Sequence, residues 1–152
     1  MNFSLPALIA AAIFSVIPRP AAASAEEMLT LDSLKWKNRA LVIVTSDDRE
    51  SNASLESKLL RAKEEIDERD LLYFIVGDSA RKTNAPRPLA LSESDAQKRF
   101  PLKGKTHTVY LIGKDGGIKL VQNDRLDLKA IFERIDQMPM RMDEMRSRKI
   151  PK

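Results

Sequence analysis

Four polar side chains lie where an α/β protein commonly places its chemistry. Asp47, Asp48 and Arg49 follow the apolar run 40–44, and His107 precedes a second apolar run. Carboxylates beyond a strand can bind a cation or orient a polar substrate, and an imidazole can act as a base. One hypothesis is therefore an enzyme acting on a small substrate, with Asp47 and Asp48 assisted by Arg49 or His107.

The spacing of these residues favours a simpler interpretation. Adjacent carboxylates on an extended chain point in different directions, and no further ligand is fixed by spacing, so Asp47 to Arg49 are expected to form a solvated loop before a helix. His107 is the only histidine. A metal site built from several histidines is therefore excluded, and a hydrolytic triad has no second histidine to draw on. We expect it to be hydrogen-bonded or exposed near the start of a strand, and we expect no cofactor and no metal.

Periodicity indicates the elements that position these residues. The run 40–44 and the run 71–76 are rich in β-branched and aromatic residues and predict buried strands. Between them, apolar residues at 55, 59, 62 and 66 predict one face of a helix capped near Ser51 or Asn52. Residues 77–91 read as a long loop, after which Ser92 and Asp95 resemble a capping box for a short helix that ends before Pro101.

The segment 106–122 is the clearest hairpin signal, with two apolar strands around Lys114, Asp115, Gly116 and Gly117. Aspartate favours such turns and the glycines are expected to supply positive φ. Asp127 is expected to cap the helix that follows, and Pro139 to end it or begin another. The order strand, helix, strand, helix, strand, strand, helix predicts a thioredoxin-like α/β fold, with a central mixed sheet flanked by helices.

Three further residues are expected to be structural. Arg141 and Glu144 are three apart after Pro139, which suits a pair on one helical face. Arg141 is expected to meet Asp115 or another carboxylate and hold the carboxyl-terminal segment on the sheet, in preference to binding an anion. Trp36 lies between two lysines. It could stack on a ligand ring, but burial of its indole at the sheet edge is preferred.

The amino terminus predicts export. Residues 1–25 contain no acidic residue, carry an apolar run too short to span a membrane, and end in Ala23-Ser24-Ala25. We expect a signal peptide cleaved before Glu26, one domain over 26–152, a periplasmic or secreted location, and no stable membrane span after cleavage. The formal charge is +4, but 26 basic and 22 acidic residues are interspersed, so we expect no nucleic-acid partner.

The chain has no cysteine, which excludes disulfide exchange and cysteine peroxidase chemistry. In redox thioredoxins the nucleophilic cysteine begins the helix after the first core strand, where this chain has Thr45 to Arg49. Those proteins also have a proline before the third core strand, where this chain has Lys105-Thr106-His107-Thr108.

Four segments carry a family resemblance, namely "LKWKNRALVIV" (34–44), "ERDLLYFIVG" (68–77), "YLIGKDGGIKL" (110–120) and "IDQMPMRMDEMR" (135–146). Together they resemble the family of domain of unknown function 4174. The resemblance implies an exported, thioredoxin-like, cysteine-poor domain without an assigned reaction, and related domains occur in some animal matrix proteins. The favoured hypothesis is therefore a non-redox module that binds a protein or a periplasmic or extracellular ligand, with the small-substrate enzyme as the alternative.

Overall fold

The computed structural model describes residues 28–46, 49–77 and 81–149. The predicted signal peptide, 1–25, lies outside these residues. The helices are α1 (Leu31–Leu34), α2 (Arg49–Arg61), α3 (Lys63–Glu68), α4 (Glu93–Arg99), α5 (Leu128–Asp136) and α6 (Pro139–Lys149). The strands are β1 (Arg39–Thr45), β2 (Leu71–Val76), β3 (Arg81–Thr83), β4 (His107–Ile112) and β5 (Ile118–Asn123).

The strands form one mixed sheet in the order β3-β2-β1-β4-β5. β1 pairs in parallel with β2 and antiparallel with β4, while β3 and β5 are antiparallel outer strands. Helices flank the sheet. The predicted α/β class is confirmed, and the arrangement is compatible with a thioredoxin-like fold.

The central strand β1 is buried along its whole length, and its side chains alternate between two hydrophobic cores. Leu41 and Ile43 contribute to the core under α2, α3 and α5. Val42 and Val44 contribute to the core on the opposite face, with α1 and α4. Alternation of side chains along a strand explains both memberships. The sheet is therefore covered on both faces, and its two ends are where polar side chains gather.

Three elements differ from the sequence expectation. The predicted loop 77–91 contains the short strand β3, and α1 precedes β1 where no helix was expected. The predicted helix over Leu55 to Ile66 begins earlier, at Arg49, and is interrupted at Ala62, whose amide donates to the carbonyl of Leu59 at 3.2 Å. A tighter turn at that point separates α2 from α3. The expected cap at Ser51 or Asn52 is therefore wrong.

The other local predictions are confirmed, with one correction. The side chains of Ser92 and Asp127 accept hydrogen bonds at the starts of α4 and α5. In the β4–β5 turn Asp115 accepts from the Gly117 amide at 3.1 Å. Gly116 has φ +82°, but Gly117 does not adopt positive φ. Only one of the two glycines therefore supplies the conformation that the hairpin needs.

Pro139 begins α6, at the first helical position, where its missing amide hydrogen costs nothing. α6 returns towards the start of β1 and carries both Arg141 and Glu144. No helix within the described ranges is long and apolar enough to cross a bilayer.

Candidate functional site

Of the four residues first considered for catalysis, His107 is the one whose side chain the structure describes, and it lies at the end of the sheet where β1 finishes. Asp47 and Asp48 lie outside the described residues, and Arg49 begins α2 with a side chain that is not described. His107 begins β4 and is the register partner of Thr45. Both side chains therefore lie on one face of the sheet, the face that α2, α3 and α5 cover.

His107 is buried and hydrogen-bonded, as expected. Its Nδ1 is 3.0 Å from Thr106 Oγ1, which is itself 3.1 Å from Asp124 Oδ1. Backbone amides of Thr106 and Lys105 lower the pKa of Asp124 to about 2, so this carboxylate is ionised and only accepts. The Thr106 hydroxyl therefore donates to Asp124, and in the tautomer that carries its proton on Nδ1 the imidazole donates to this hydroxyl.

The surroundings keep this imidazole neutral. Burial lowers the pKa of His107, and this effect outweighs the Arg125 carbonyl and the Asp124 carboxylate, which raise it. Three buried atoms at this end have no hydrogen-bond partner within the described part of the chain, namely His107 Nε2, Thr45 Oγ1 and Asn52 Oδ1.

The opposite end of the sheet is organised by ion pairs. Arg39, the first residue of β1, is fully buried and binds Glu144 of α6 through two hydrogen bonds of 3.2 Å. Lys114 of the β4–β5 turn is also buried, and its Nζ lies 2.8 Å from Glu144 Oε1 and 3.0 Å from Asp70 Oδ2. Burial alone would raise the pKa of Glu144, but the hydrogen bonds from Lys114 and Arg39 outweigh it and the pKa is lowered.

Arg141 extends this arrangement. It is 1% exposed and contacts Glu68 at 2.7 Å and Asp136 at 3.2 Å, and its Nη1 lies 3.8 Å from Glu144. Asp136 also binds Arg69 at 2.7 Å. Arg141 therefore meets carboxylates as predicted, but not Asp115, which pairs instead with Lys119. We call the set Arg39, Glu68, Arg69, Asp70, Lys114, Asp136, Arg141 and Glu144 the ion-pair network.

A groove of about 390 Å³ opens beside the network. Its walls come from the segment between α1 and β1, the β4–β5 turn, β5 and the start of α6. They are formed by Trp36, Arg39, Gly113, Lys114, Asp115, Lys119, Met138, Pro139 and Met140. The volume lies within the range of about 300–1,000 Å³ that is common for ligand sites.

Trp36 contradicts the expected burial, because its side chain is 67% exposed. Lys35 has φ −53° and ψ 137°, Trp36 has φ +64°, and the Lys37 amide donates to the Leu34 carbonyl at 3.0 Å. These values describe a type II turn with Trp36 at the position that favours glycine. The Trp36 amide donates to the Lys114 carbonyl at 2.7 Å, which fixes this turn against the hairpin.

Two methionines flank Pro139, and from the sequence alone we expect both to pack the last helix onto the core. Met138 packs there, but Met140 is 38% exposed and lines the groove. Arg39, Asp70 and Asp136 were not singled out from the sequence. An arginine directly before an apolar run looks like a flanking surface residue, and only the position of α6 makes it buried.

Two comparisons bear on this arrangement. The model of the family described as "Domain of unknown function (DUF4174)" matches residues 30–144. The match includes every residue of the ion-pair network and every residue that lines the groove. No curated protein matches the chain.

Proposed function

The chain belongs to the family of domain of unknown function 4174 (DUF4174), and from this membership we propose that it is a non-redox binding module. Its partner is a protein, and the contact surface is the groove beside Trp36. The exposed indole of Trp36 is the observation that carries the proposal. A large aromatic side chain held in the left-handed region costs about 1–2 kcal/mol of backbone strain, and strain of this kind is concentrated at functional sites.

Absence of cysteine supports the non-redox part of the proposal. Thiol chemistry requires a thiolate, and this sequence contains none. One fold can host many unrelated functions, so this fold permits binding without catalysis. The support for a binding function comes from the groove.

Rigid support favours the groove as a contact surface. Arg39 and Lys114 line it while holding Glu144, and Met138 joins the hydrophobic core next to α5. A preorganised wall loses little side-chain entropy when a partner docks. Trp36 and Met140 line the groove and supply exposed apolar area. Tryptophan is enriched among the residues that dominate interface energetics.

We also propose that the protein is exported and cleaved before Glu26, because residues 1–25 have the pattern of a secretory signal. Intact-mass measurement of the protein from each cell fraction tests this. A species beginning at Glu26 outside the cytoplasm is expected. A cytoplasmic species that retains residues 1–25 would contradict it.

Photo-cross-linking tests the binding role. Benzoylphenylalanine replaces Trp36 in one variant and Leu60 in another, since Leu60 is 58% exposed on α2 and does not line the groove. Irradiation in the producing cells is expected to give one discrete adduct from position 36 and not from position 60. Excess unlabelled parent domain should suppress this adduct, and excess Trp36→Gly domain should not. Identical adducts from both positions, or no adduct, would overturn the proposal.

A second candidate is a small-substrate enzyme, and the observation behind it is that His107 Nε2 has no hydrogen-bond partner among the described residues. In this mechanism His107 accepts a proton while Thr106 and Asp124 orient its ring. A turnover that disappears in a folded His107→Gln variant would support the enzyme over the binding module.

A further inference from the structure

We infer that the protein docks on an anionic lipid bilayer through the segment 98–105, which runs from the end of α4 towards β4. We call this stretch, with the sequence KRFPLKGK, the basic segment, because it contains four basic residues and no acidic one. None of its residues lines the groove beside Trp36. The inference therefore concerns a second surface and does not depend on the binding role proposed for the groove.

The four cations of the basic segment are free to meet an outside anion. Lys98, Arg99, Lys103 and Lys105 are all exposed, and none of them forms an ion pair with another described residue. The Arg99 guanidinium lies over the Phe100 ring, 5.5 Å from its centroid, and this contact leaves its charge unopposed. The arrangement contrasts with the ion-pair network, where every basic side chain contacts a carboxylate.

Two carboxylates near the basic segment are already engaged elsewhere. Asp124 accepts from the Thr106 amide at 2.7 Å and also from the Lys105 backbone amide. Asp32 pairs with Lys35 at 2.8 Å, which lowers its pKa, and Arg99 adds only a smaller effect. Neither carboxylate therefore neutralises a side chain of the segment.

Helix stabilisation explains only half of these charges. Lys98 and Arg99 occupy the last turn of α4, where the helix dipole favours basic side chains. Lys103 and Lys105 lie beyond the helix and gain nothing from it. The amides of Lys103 and Gly104 donate to Thr108 Oγ1 at 2.8 and 3.0 Å. The backbone is thus fixed against β4 while both lysine side chains remain in solvent.

Exposed apolar side chains accompany the cations. The Tyr110 hydroxyl donates to the Pro101 carbonyl at 2.5 Å, so the segment crosses the face of the sheet to which Tyr110 points. Val121 of β5 is the register partner of Tyr110 and lies on the same face. Val121 and Leu102 are each 38% exposed. This face therefore offers single apolar side chains beside unpaired cations.

This composition favours a bilayer over an acidic protein. Lysine is depleted in protein–protein interfaces, whereas three of the four cations here are lysines. Surfaces that lie in the membrane interface combine lysine or arginine with apolar residues such as leucine. On a bilayer the cations would meet lipid phosphates while Leu102 reaches the acyl boundary. Each basic residue close to an anionic bilayer strengthens binding about fivefold.

Sedimentation with lipid vesicles tests the inference. The protein purified from the producing cells is mixed with vesicles of phosphatidylglycerol and phosphatidylcholine in equal amounts, or of phosphatidylcholine alone. We expect binding to the anionic vesicles to be at least about 25-fold tighter, and added salt to weaken it. All variants below carry the same amino terminus, so they differ from the parent only at the substituted positions.

Two double variants provide a matched comparison. Lys103→Gln combined with Lys105→Gln should weaken binding to anionic vesicles about 25-fold, because two cations near the lipid surface are lost. Lys58→Gln combined with Arg61→Gln makes the same charge change on α2, which packs on the opposite face of the sheet. Both α2 residues are exposed and form no ion pair with another described residue. This control should change binding less than about twofold, since distant charges are screened.

Leu102→Ala tests the apolar contact. Removing part of a side chain that enters the acyl boundary should weaken binding about fivefold. Leu60→Ala is the control, because Leu60 is 58% exposed on α2, and it should leave binding unchanged. Circular dichroism checks that the variants fold. An unchanged affinity for Leu102→Ala would contradict insertion of this side chain.

Three results would overturn the inference as a whole. They are equal affinity for the two kinds of vesicle, no binding to the anionic vesicles, and equal weakening by the two double variants. A segment that ignores vesicles but binds polyglutamate, with binding lost in the Lys103→Gln and Lys105→Gln double variant, would have an acidic protein as its partner, which also overturns docking on lipid. The role of the groove is tested separately, by cross-linking from position 36.

Discussion

Arg39 and Glu144 are 105 residues apart in sequence and form a two-point ion pair between the start of β1 and α6, with both N–O distances at 3.2 Å. Glu144 also accepts from Lys114 in the β4–β5 turn. One carboxylate therefore connects the central strand, the hairpin and the last helix. This contact joins three of the elements that contribute residues to the groove.

Replacing Glu144 should destabilise the fold strongly. Glu144→Gln removes the charge that Arg39 and Lys114 share, and the loss of one partner from a buried pair typically costs about 3–5 kcal/mol. Because Glu144 keeps 20% of its side-chain exposure, we expect the lower part of that range, about 3 kcal/mol. Urea denaturation measures the change in the free energy of unfolding.

Asp143→Asn is the matched control on the same helix. Asp143 pairs with Arg146 at 3.5 Å, and both side chains are largely exposed, so the expected cost is below about 0.5 kcal/mol. Equal effects of the two substitutions would show that the network does not hold α6 in place.

The β4–β5 turn offers a second matched pair of variants. Gly116→Val places a β-branched residue at φ +82°, which should cost about 1–3 kcal/mol. Gly117 lacks positive φ, and a Cβ there would meet neighbours only at ordinary contact distances of 3.5 Å and more. Gly117→Val should therefore cost distinctly less. Thermal unfolding of both variants measures this, and a larger loss for Gly117→Val would contradict the assignment.

The local signals in the sequence predicted much of this fold. Strands β1, β2, β4 and β5 follow from apolar runs, and Ser92 and Asp127 cap helices as expected. The short strand β3 was missed because three residues in a proline-containing polar stretch carry no periodicity. Its pairing with β2 is a tertiary contact, which overrides local preference.

The site was less predictable than the fold. Arg141 was expected to meet a carboxylate, and it contacts Glu68 and Asp136. Glu68 is far from Arg141 in sequence, and no sequence pattern marks Asp136 as its partner. Trp36 was expected to be buried because large aromatic residues usually are. Its exposure results from a type II turn without glycine, and no local pattern marks such a turn.

Stability should depend on pH through His107. Its pKa is lowered from 6.5 by burial, so the unfolded chain binds a proton more readily than the folded one. The contribution is fully present above pH 6.5 and decreases as the pH falls through 6.5 towards the folded pKa. Urea denaturation between pH 7.5 and 5 should show this decrease in the parent protein.

His107→Gln supplies the control for that measurement. His107 is the only histidine in the sequence, so the variant should show a flatter dependence of unfolding free energy on pH over the same interval. A slope equal to that of the parent would mean that His107 is not the group responsible.

Identification of the partner residue attached to position 36 is the most direct test of the binding role. Mass spectrometry of the cross-linked adduct locates the attachment site in the partner's sequence. We expect a single short segment that has apolar side chains and no acidic residue, since exposed apolar side chains line the groove and its basic side chains are each paired with a carboxylate. Attachment to an acid-rich segment, or to sites scattered over many proteins, would contradict the proposed role of the groove.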